Sequence, residues 1–230
     1  NGGSYLADNK MISDPIAFNH SLLNGKGDNR NNLQEIWLLH GYASNEADLY
    51  ALESYFGDKY LIRSLRASYS LPTGGFAWYG LDFDINGLKK SNLQEAQDSI
   101  NRIKDALNWH KITHPNSPRP ILLGFSQGGI LANALGYCLS DELSAVVSIA
   151  SYFPLEWDFL KQLCNQVKYF AAVGTEDIVV PAEKSLPSYK KAQNNHGIDL
   201  QVKTYPMPHT ISQACFSDVL RFITERNKIS

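Results

Sequence analysis

The chain has 230 residues, 43% hydrophobic and 19% charged, and its 21 basic residues against 23 acidic ones leave a formal charge of −2. That length and apolar content suit one domain over 1–230, and the near-neutral balance, without a Lys/Arg-rich run or an aromatic-basic platform, argues against a nucleic-acid partner. No apolar run approaches the roughly 18 residues of a membrane span, which argues against stable membrane insertion.

The first 15 residues and the stretch from Asn24 to Asn32 are polar and rich in Gly and Asn. A loose terminus and a hairpin or loop are expected there. Strand-like runs fall near residues 16–23, 35–40, 60–66, 119–124, 145–151, 168–173 and 199–205, with helical patterns between most of them. Buried-type strands alternating with helices predict an α/β fold, a mostly parallel central sheet with helices on both faces.

The run Ile36-Trp37-Leu38-Leu39 ends in His40-Gly41-Tyr42, a turn able to aim backbone N–H groups at a developing negative charge. His40 is assigned to shaping that loop. Between Tyr69 and Ile85, aromatic residues including Phe76, Trp78 and Tyr79 crowd around Gly74, Gly75 and Gly80 without a helical period. Phe76, Trp78 and Tyr79 could line a substrate pocket or anchor a long loop to the core, and both readings stand. Leu81, Phe83 and Ile85 alternate with Asp82 and Asp84 like a short strand; two carboxylates without a third ligand read as solvated charges, so no metal is expected. Ser91 is the expected N-cap of a long helix, with Gln94 three residues on and Leu93, Ala96, Ile100, Ile103 and Leu107 along one face. His110 and His114 end it in surface or capping roles.

Gly124-Phe125-Ser126-Gln127-Gly128 has the G-x-S-x-G pattern, between the apolar run Ile121-Leu122-Leu123 and the helical spacing of Ile130, Leu131, Ala134 and Leu135. A sharp strand-to-helix turn would expose the Ser126 hydroxyl, and its flanking glycines avoid collisions between strand and helix. A serine needs a base and an orienting acid. Asp177 follows the strand-like 168–173 run, and His209 follows the alternating 199–205 run, so both belong to loops at strand ends, where open α/β sheets carry their functional groups. Glu176 is the rival acid; adjacent loop residues point differently, and Asp177 is preferred. His196 precedes Gly197 in a helix-ending position, and His20 has no supporting context. The final helix places Ile211, Cys215, Val219, Phe222 and Ile223 on one side.

Leu38-Leu39-His40-Gly41, Gly124-Phe125-Ser126-Gln127-Gly128-Gly129, Gly174 with Asp177 and Val180-Pro181, and His209 together resemble the phospholipase/carboxylesterase family of α/β-hydrolases, from about residue 35 to about 225. The resemblance implies the α/β-hydrolase fold and a serine hydrolase needing no cofactor. It assigns Ser126 as nucleophile, Asp177 as acid, His209 as base, and the backbone N–H groups of Tyr42 and Gln127 as the oxyanion hole. Tyr42-Ala43-Ser44-Asn45 departs from the Leu-Gly-Asp usual in the thioesterase branch and is closer to the bacterial esterases.

The expected activity is that of a serine carboxylesterase acting on small-molecule esters of short to medium acyl chains through an acyl-enzyme. The alternatives are an acyl thioesterase or lysophospholipase using the same machinery, and a non-catalytic ligand-binding homologue, against which the retention of all three residues speaks. Cys138, Cys164 and Cys215 show neither C-x-x-C nor Cys/His ligand spacing, which fits a reduced cytoplasmic protein. A start at Asn1 rather than Met also accommodates a removed signal peptide. A homodimer is compatible with this reading.

Overall fold

The computed structural model describes residues 5–7, 10–12, 15, 20–24, 33–83, 85, 89–139, 142–163 and 166–226. They fall into two compact units, 1–121 and 122–230. A mostly parallel main sheet counts seven strands among the described residues.

In the first unit β1 (Tyr5–Ala7) and β2 (Lys10–Ile12) pair antiparallel, so part of the expected loose terminus is a two-stranded ribbon. The main-sheet strands of this unit are β3 (Ser21–Leu23), β4 (Gln34–Leu39) and β5 (Tyr60–Leu65), with β5 parallel to β4 and antiparallel to β3. Every residue of β4 and β5 is buried, as expected of strands covered on both faces. Positions 16–19 of the first expected strand and 25–32 of the expected hairpin or loop lie outside the described residues.

Helix α1 (Glu46–Tyr50) starts at Asn45, whose side chain accepts the Ala47 N–H. The glycine- and aromatic-rich stretch then folds as two short antiparallel ribbons, β6 (Tyr69–Ser70) with β7 (Phe76–Ala77) and β8 (Leu81–Phe83) with β9 (Lys89–Ser91). The alternating Leu81-Asp82-Phe83 is thus a strand. Gly75 has φ +74, and a Cβ there would stand 2.2 Å from the Ala43 carbonyl oxygen.

Helix α2 (Leu93–Thr113) buries Ala96, Ile100, Ile103 and Leu107, as its periodicity predicts. Its N-cap is Asn92 rather than Ser91. Asn92 Oδ1 accepts the Glu95 N–H at 3.1 Å, while Ser91 is engaged in β9 opposite Leu81; asparagine caps as well as serine, so the signal was one residue displaced.

His110 also departs from its expected surface or capping role. It is buried edge-on against Trp37 at 5.9 Å, because position 110 continues the same stripe as 103 and 107. Its Nε2 lies 3.5 Å from Glu35 Oε1. Glu35 Oε2 accepts from Trp37 Nε1 at 2.6 Å and from Arg63 Nε at 2.9 Å, so a buried ion pair bridges β4 and β5. His114 stacks on His110 at the helix end, in the capping position expected of it.

The second unit holds β10 (Ile121–Phe125), β11 (Ala145–Ile149), β12 (Lys168–Gly174) and β13 (Asp199–Tyr205) side by side in that order. β11, β12 and β13 are parallel, with Ile149 opposite Ala172 and Ala172 opposite Lys203. Its helices are α3 (Gln127–Cys138), α4 (Ala182–His196) and α5 (Gln213–Arg226).

Successive residues of a strand face opposite ways. Tyr169 reaches α3, where a Cβ on Gly136 would meet its hydroxyl at 2.7 Å, whereas Phe170 packs on Phe222 of α5 at 5.4 Å. Helices therefore cover both faces of β12. Of the final helix's expected stripe, Cys215, Val219 and Ile223 are buried; Ile211 precedes α5, which begins at Gln213. Gly197 ends α4 in the left-handed conformation, φ +63, as its position after His196 predicts.

Candidate active site

Ser126 sits between β10 and α3 with φ 52 and ψ −119, angles that a residue with a Cβ adopts only under strain of about 1–3 kcal/mol. Its environment enforces them. The Ser126 N–H donates to the Ile149 carbonyl at 2.9 Å, and its own carbonyl accepts the N–H groups of Gly129 and Ile130, the first turn of α3. A Cβ on Gly124 would stand 2.2 Å from the Gly128 carbonyl oxygen, and one on Gly129 would stand 2.7 Å from Ser151 Oγ. The turn closes only because both positions lack a side chain.

Asp177 and His209 stand on two loops laced together. The Thr175 N–H donates to the Tyr205 carbonyl and the Glu176 N–H to that of Met207. Gly174 lets the second loop pass, since a Cβ there would lie 2.4 Å from the Met207 oxygen. Asp177 is buried, and Glu176, its rival in the sequence, is exposed.

One Asp177 oxygen, Oδ1, accepts the backbone N–H groups of Val179 at 2.8 Å and Val180 at 2.9 Å. The other, Oδ2, accepts from His209 Nδ1 at 2.7 Å. That bond fixes the tautomer with the proton on Nδ1 and leaves Nε2 as acceptor, 2.9 Å from Ser126 Oγ. The imidazole leans on the Phe125 ring at 5.0 Å and its side chain keeps 21% of its surface accessible. Ser126, His209 and Asp177 thus form one hydrogen-bonded line within the second unit.

Two supports of this line carry no signature of their own in the sequence, the ring of Phe125 and the backbone donors of Val179 and Val180. Elsewhere in the second unit the buried Tyr189 hydroxyl joins β11 to α3 and α4. Tyr189 lies 3.0 Å from both Ser148 Oγ and Ser151 Oγ and accepts from Asn133 Nδ2 at 3.3 Å. Burial pushes this phenol upward, and the bonds from Ser148, Ser151 and Asn133 only partly offset it.

Gln127 is the first residue of α3 and buried, so its N–H stands at the N-terminal end of that helix. Tyr42, in the first unit, lies in the turn after β4 with its side chain exposed.

His40 is fully buried. Its Nδ1–H donates to the Gly41 carbonyl at 2.7 Å, its Nε2 accepts the Ala67 N–H at 3.1 Å, and burial holds its pKa below the usual 6.5. It is a neutral strut for the loop, as the sequence suggested. Trp78 and Tyr79 are buried as well, and Trp78 Nε1 donates to the His40 carbonyl at 2.8 Å with its ring 5.3 Å from the imidazole. Both are core side chains of the first unit, whereas Phe76 is half-buried. No group of three or more metal-ligating side chains occurs among the described residues, and no helix there is long and apolar enough to cross a membrane.

A strand-to-helix turn carrying serine, with acid and histidine on later strand-end loops of a mostly parallel sheet, is the architecture of the α/β-hydrolases. A sequence profile described as Phospholipase/Carboxylesterase matches residues 28–227, and the chain belongs to that family of hydrolases, which comprises esterases and thioesterases. It is 23% identical over 154 residues to acyl-protein thioesterase 1 of Schizosaccharomyces pombe (strain 972), a match covering 64% of this chain and 66%, just under two thirds, of that protein. Among solved structures it resembles the esterase PE8, with TM-score 0.74, 23% identity, and 84% of this chain and 93% of the other covered. It also resembles the Bacillus cereus carboxylesterase, with TM-score 0.73, 16% identity, and 90% and 93% covered. At these identities the two structures speak for the fold.

Proposed function

We propose that this protein is a serine carboxylesterase that hydrolyses esters of short to medium acyl chains through an acyl-enzyme, without a cofactor. The observation that carries the reading is the unbroken line from Ser126 Oγ through His209 to Asp177, with bonds of 2.9 and 2.7 Å.

As Ser126 Oγ attacks the ester carbonyl, its proton passes to His209 Nε2, and buried Asp177 stabilises the imidazolium that forms. The negative charge on the carbonyl oxygen is met by the Gln127 N–H. Collapse of the tetrahedral intermediate breaks the bond to the leaving alcohol, which takes the proton from Nε2. Water then attacks the acyl-enzyme, giving its proton to the same nitrogen, and the acid departs as Ser126 is reprotonated.

The thioesterase reading uses the same steps with a thiol as leaving group, and the Schizosaccharomyces pombe relative favours it. The test is a panel of p-nitrophenyl esters of graded chain length beside acyl-CoA and lysophospholipids. Highest kcat/KM on a short or medium ester supports the proposal. Highest kcat/KM on acyl-CoA replaces it with the thioesterase, and no turnover of any member overturns both.

A further inference from the structure

A cavity of about 320 Å³ opens in the first unit, at the small end of the range for small-molecule sites. Arg66 and Arg102 border it with His20, and among the described residues no carboxylate does, while Ser68, Ser70 and Ser99 add hydroxyls. Phe76, Trp78 and Ile103 supply an apolar wall.

Arg66 is held in place along one edge. Its Nε donates to Glu46 Oε2 at 2.6 Å and its Nη2 to Glu46 Oε1, and its guanidinium carbon lies 4.7 Å above the Phe76 ring. That grip leaves the Nη1 edge to serve another acceptor. Arg102, half-buried on α2, has no carboxylate partner among the described residues. Asp98, one turn earlier, is engaged instead by Gln94 Nε2 and the Tyr69 hydroxyl. Two guanidinium groups on one recess, only one of them neutralised, create a local positive potential, and planar N–H forks match the oxygens of a carboxylate or phosphate.

We propose that this cavity binds a small organic anion, a carboxylate or phosphate monoester on a short aromatic or apolar body. Arg102 and the Nη1 edge of Arg66 hold its oxygens, the Ser68 and Ser70 hydroxyls donate to them, and the body packs on Phe76 and Trp78. The apolar wall alone would accept a neutral ring. The charge is what makes the site selective.

Titration calorimetry with benzoate and phenyl phosphate, against benzamide as the uncharged isostere, tests this directly. Both anions should heat or cool on binding with one-site stoichiometry, the tighter one identifying the headgroup, and benzamide should bind at least about tenfold more weakly than that anion, as expected for loss of a charged hydrogen bond. Arg102→Gln should weaken the tighter anion by about tenfold or more, and Arg102→Lys should recover part of the loss. Ser70→Asp, at an exposed position that folding tolerates, should abolish binding by setting a carboxylate against the ligand's own. Failure of either anion to bind, equal binding of benzamide, or wild-type affinity in Ser70→Asp overturns the proposal.

Discussion

Ser126 keeps its positive φ although it carries a side chain, and the bonds and close approaches around it, not its own preference, hold it there. Ser126→Ala preserves the backbone and removes only Oγ. Hydrolysis should therefore fall on the order of 10⁴-fold while thermal unfolding is unchanged, and a fluorophosphonate probe should label only the wild type. Folded Ser126→Ala protein retaining most of its activity would remove the nucleophile. Asp177 and Glu176 are separated by burial as well as by contact. Asp177→Asn puts an amide where a carboxylate faces His209 Nδ1 and two backbone donors, so kcat/KM should drop by several orders of magnitude; Glu176→Gln, at an exposed carboxylate, should leave it nearly unchanged. The reverse pattern would reassign the acid.

Among the elements, the turn from β10 to α3 is the least tolerant, because its contacts are backbone against backbone. A Cβ on Gly124 meets the Gly128 carbonyl at 2.2 Å, and neither side can yield as a flexible side chain would. Gly124→Ala should lose at least about 3 kcal/mol in denaturant unfolding, whereas Gly197→Ala, strained at φ +63 but facing open space, should lose only about 1–2 kcal/mol. Equal losses would mean that steric closure is not what the glycine at 124 provides. In the β6–β7 ribbon and the residues after it, Trp78 is anchored to the loop that follows β4. With Trp78 buried and bonded to the His40 carbonyl, Trp78→Ala should cost about 3–5 kcal/mol of stability and lower kcat/KM for acetate and for longer esters by the same factor. Selective loss on the longer ester would restore an acyl-binding role.

Stability of the whole molecule should decline on acidification in two ranges. His40 is held below its usual 6.5 by burial, so below that value the unfolded chain takes up a proton that the folded one resists, and stability falls. For Glu35, burial by itself raises the carboxyl, but the neighbouring His110 and the Arg63 guanidinium outweigh it and hold the group well below the usual carboxylate range. Its contribution is therefore complete above 4.5 and is lost as pH falls further. Glu35→Gln leaves Arg63 buried without its counter-charge, a loss of about 3–5 kcal/mol at neutral pH. In urea unfolding the gap between wild type and Glu35→Gln should narrow steadily below pH 4.5. A constant gap would show that the pair is not ionised in the folded state.

Local chemistry made much of this protein readable from its residues alone. The strand-like runs at 35–40, 60–66, 145–151 and 168–173 are strands because apolar residues predominate there, the run at 199–205 because apolar and polar residues alternate, and the stripe of α2 follows from helical spacing. Ser126, Asp177 and His209 were recognisable because a strand-to-helix turn and two strand ends are local features with local signatures. What one position touches across the fold was decided by tertiary structure. Counted along its own helix His110 looked like a terminus, yet Trp37 and Glu35 on a strand far away in sequence bury it. Ser91 was a good N-cap until strand pairing with Leu81 claimed it. Trp78 carried the same aromatic signature whether it lined a substrate or anchored a loop, and its bond to the His40 carbonyl, 38 residues away, is visible only in the fold. Hydrophobic periodicity and turn chemistry are properties of neighbours in the chain, whereas burial and polar partnership are properties of neighbours in space.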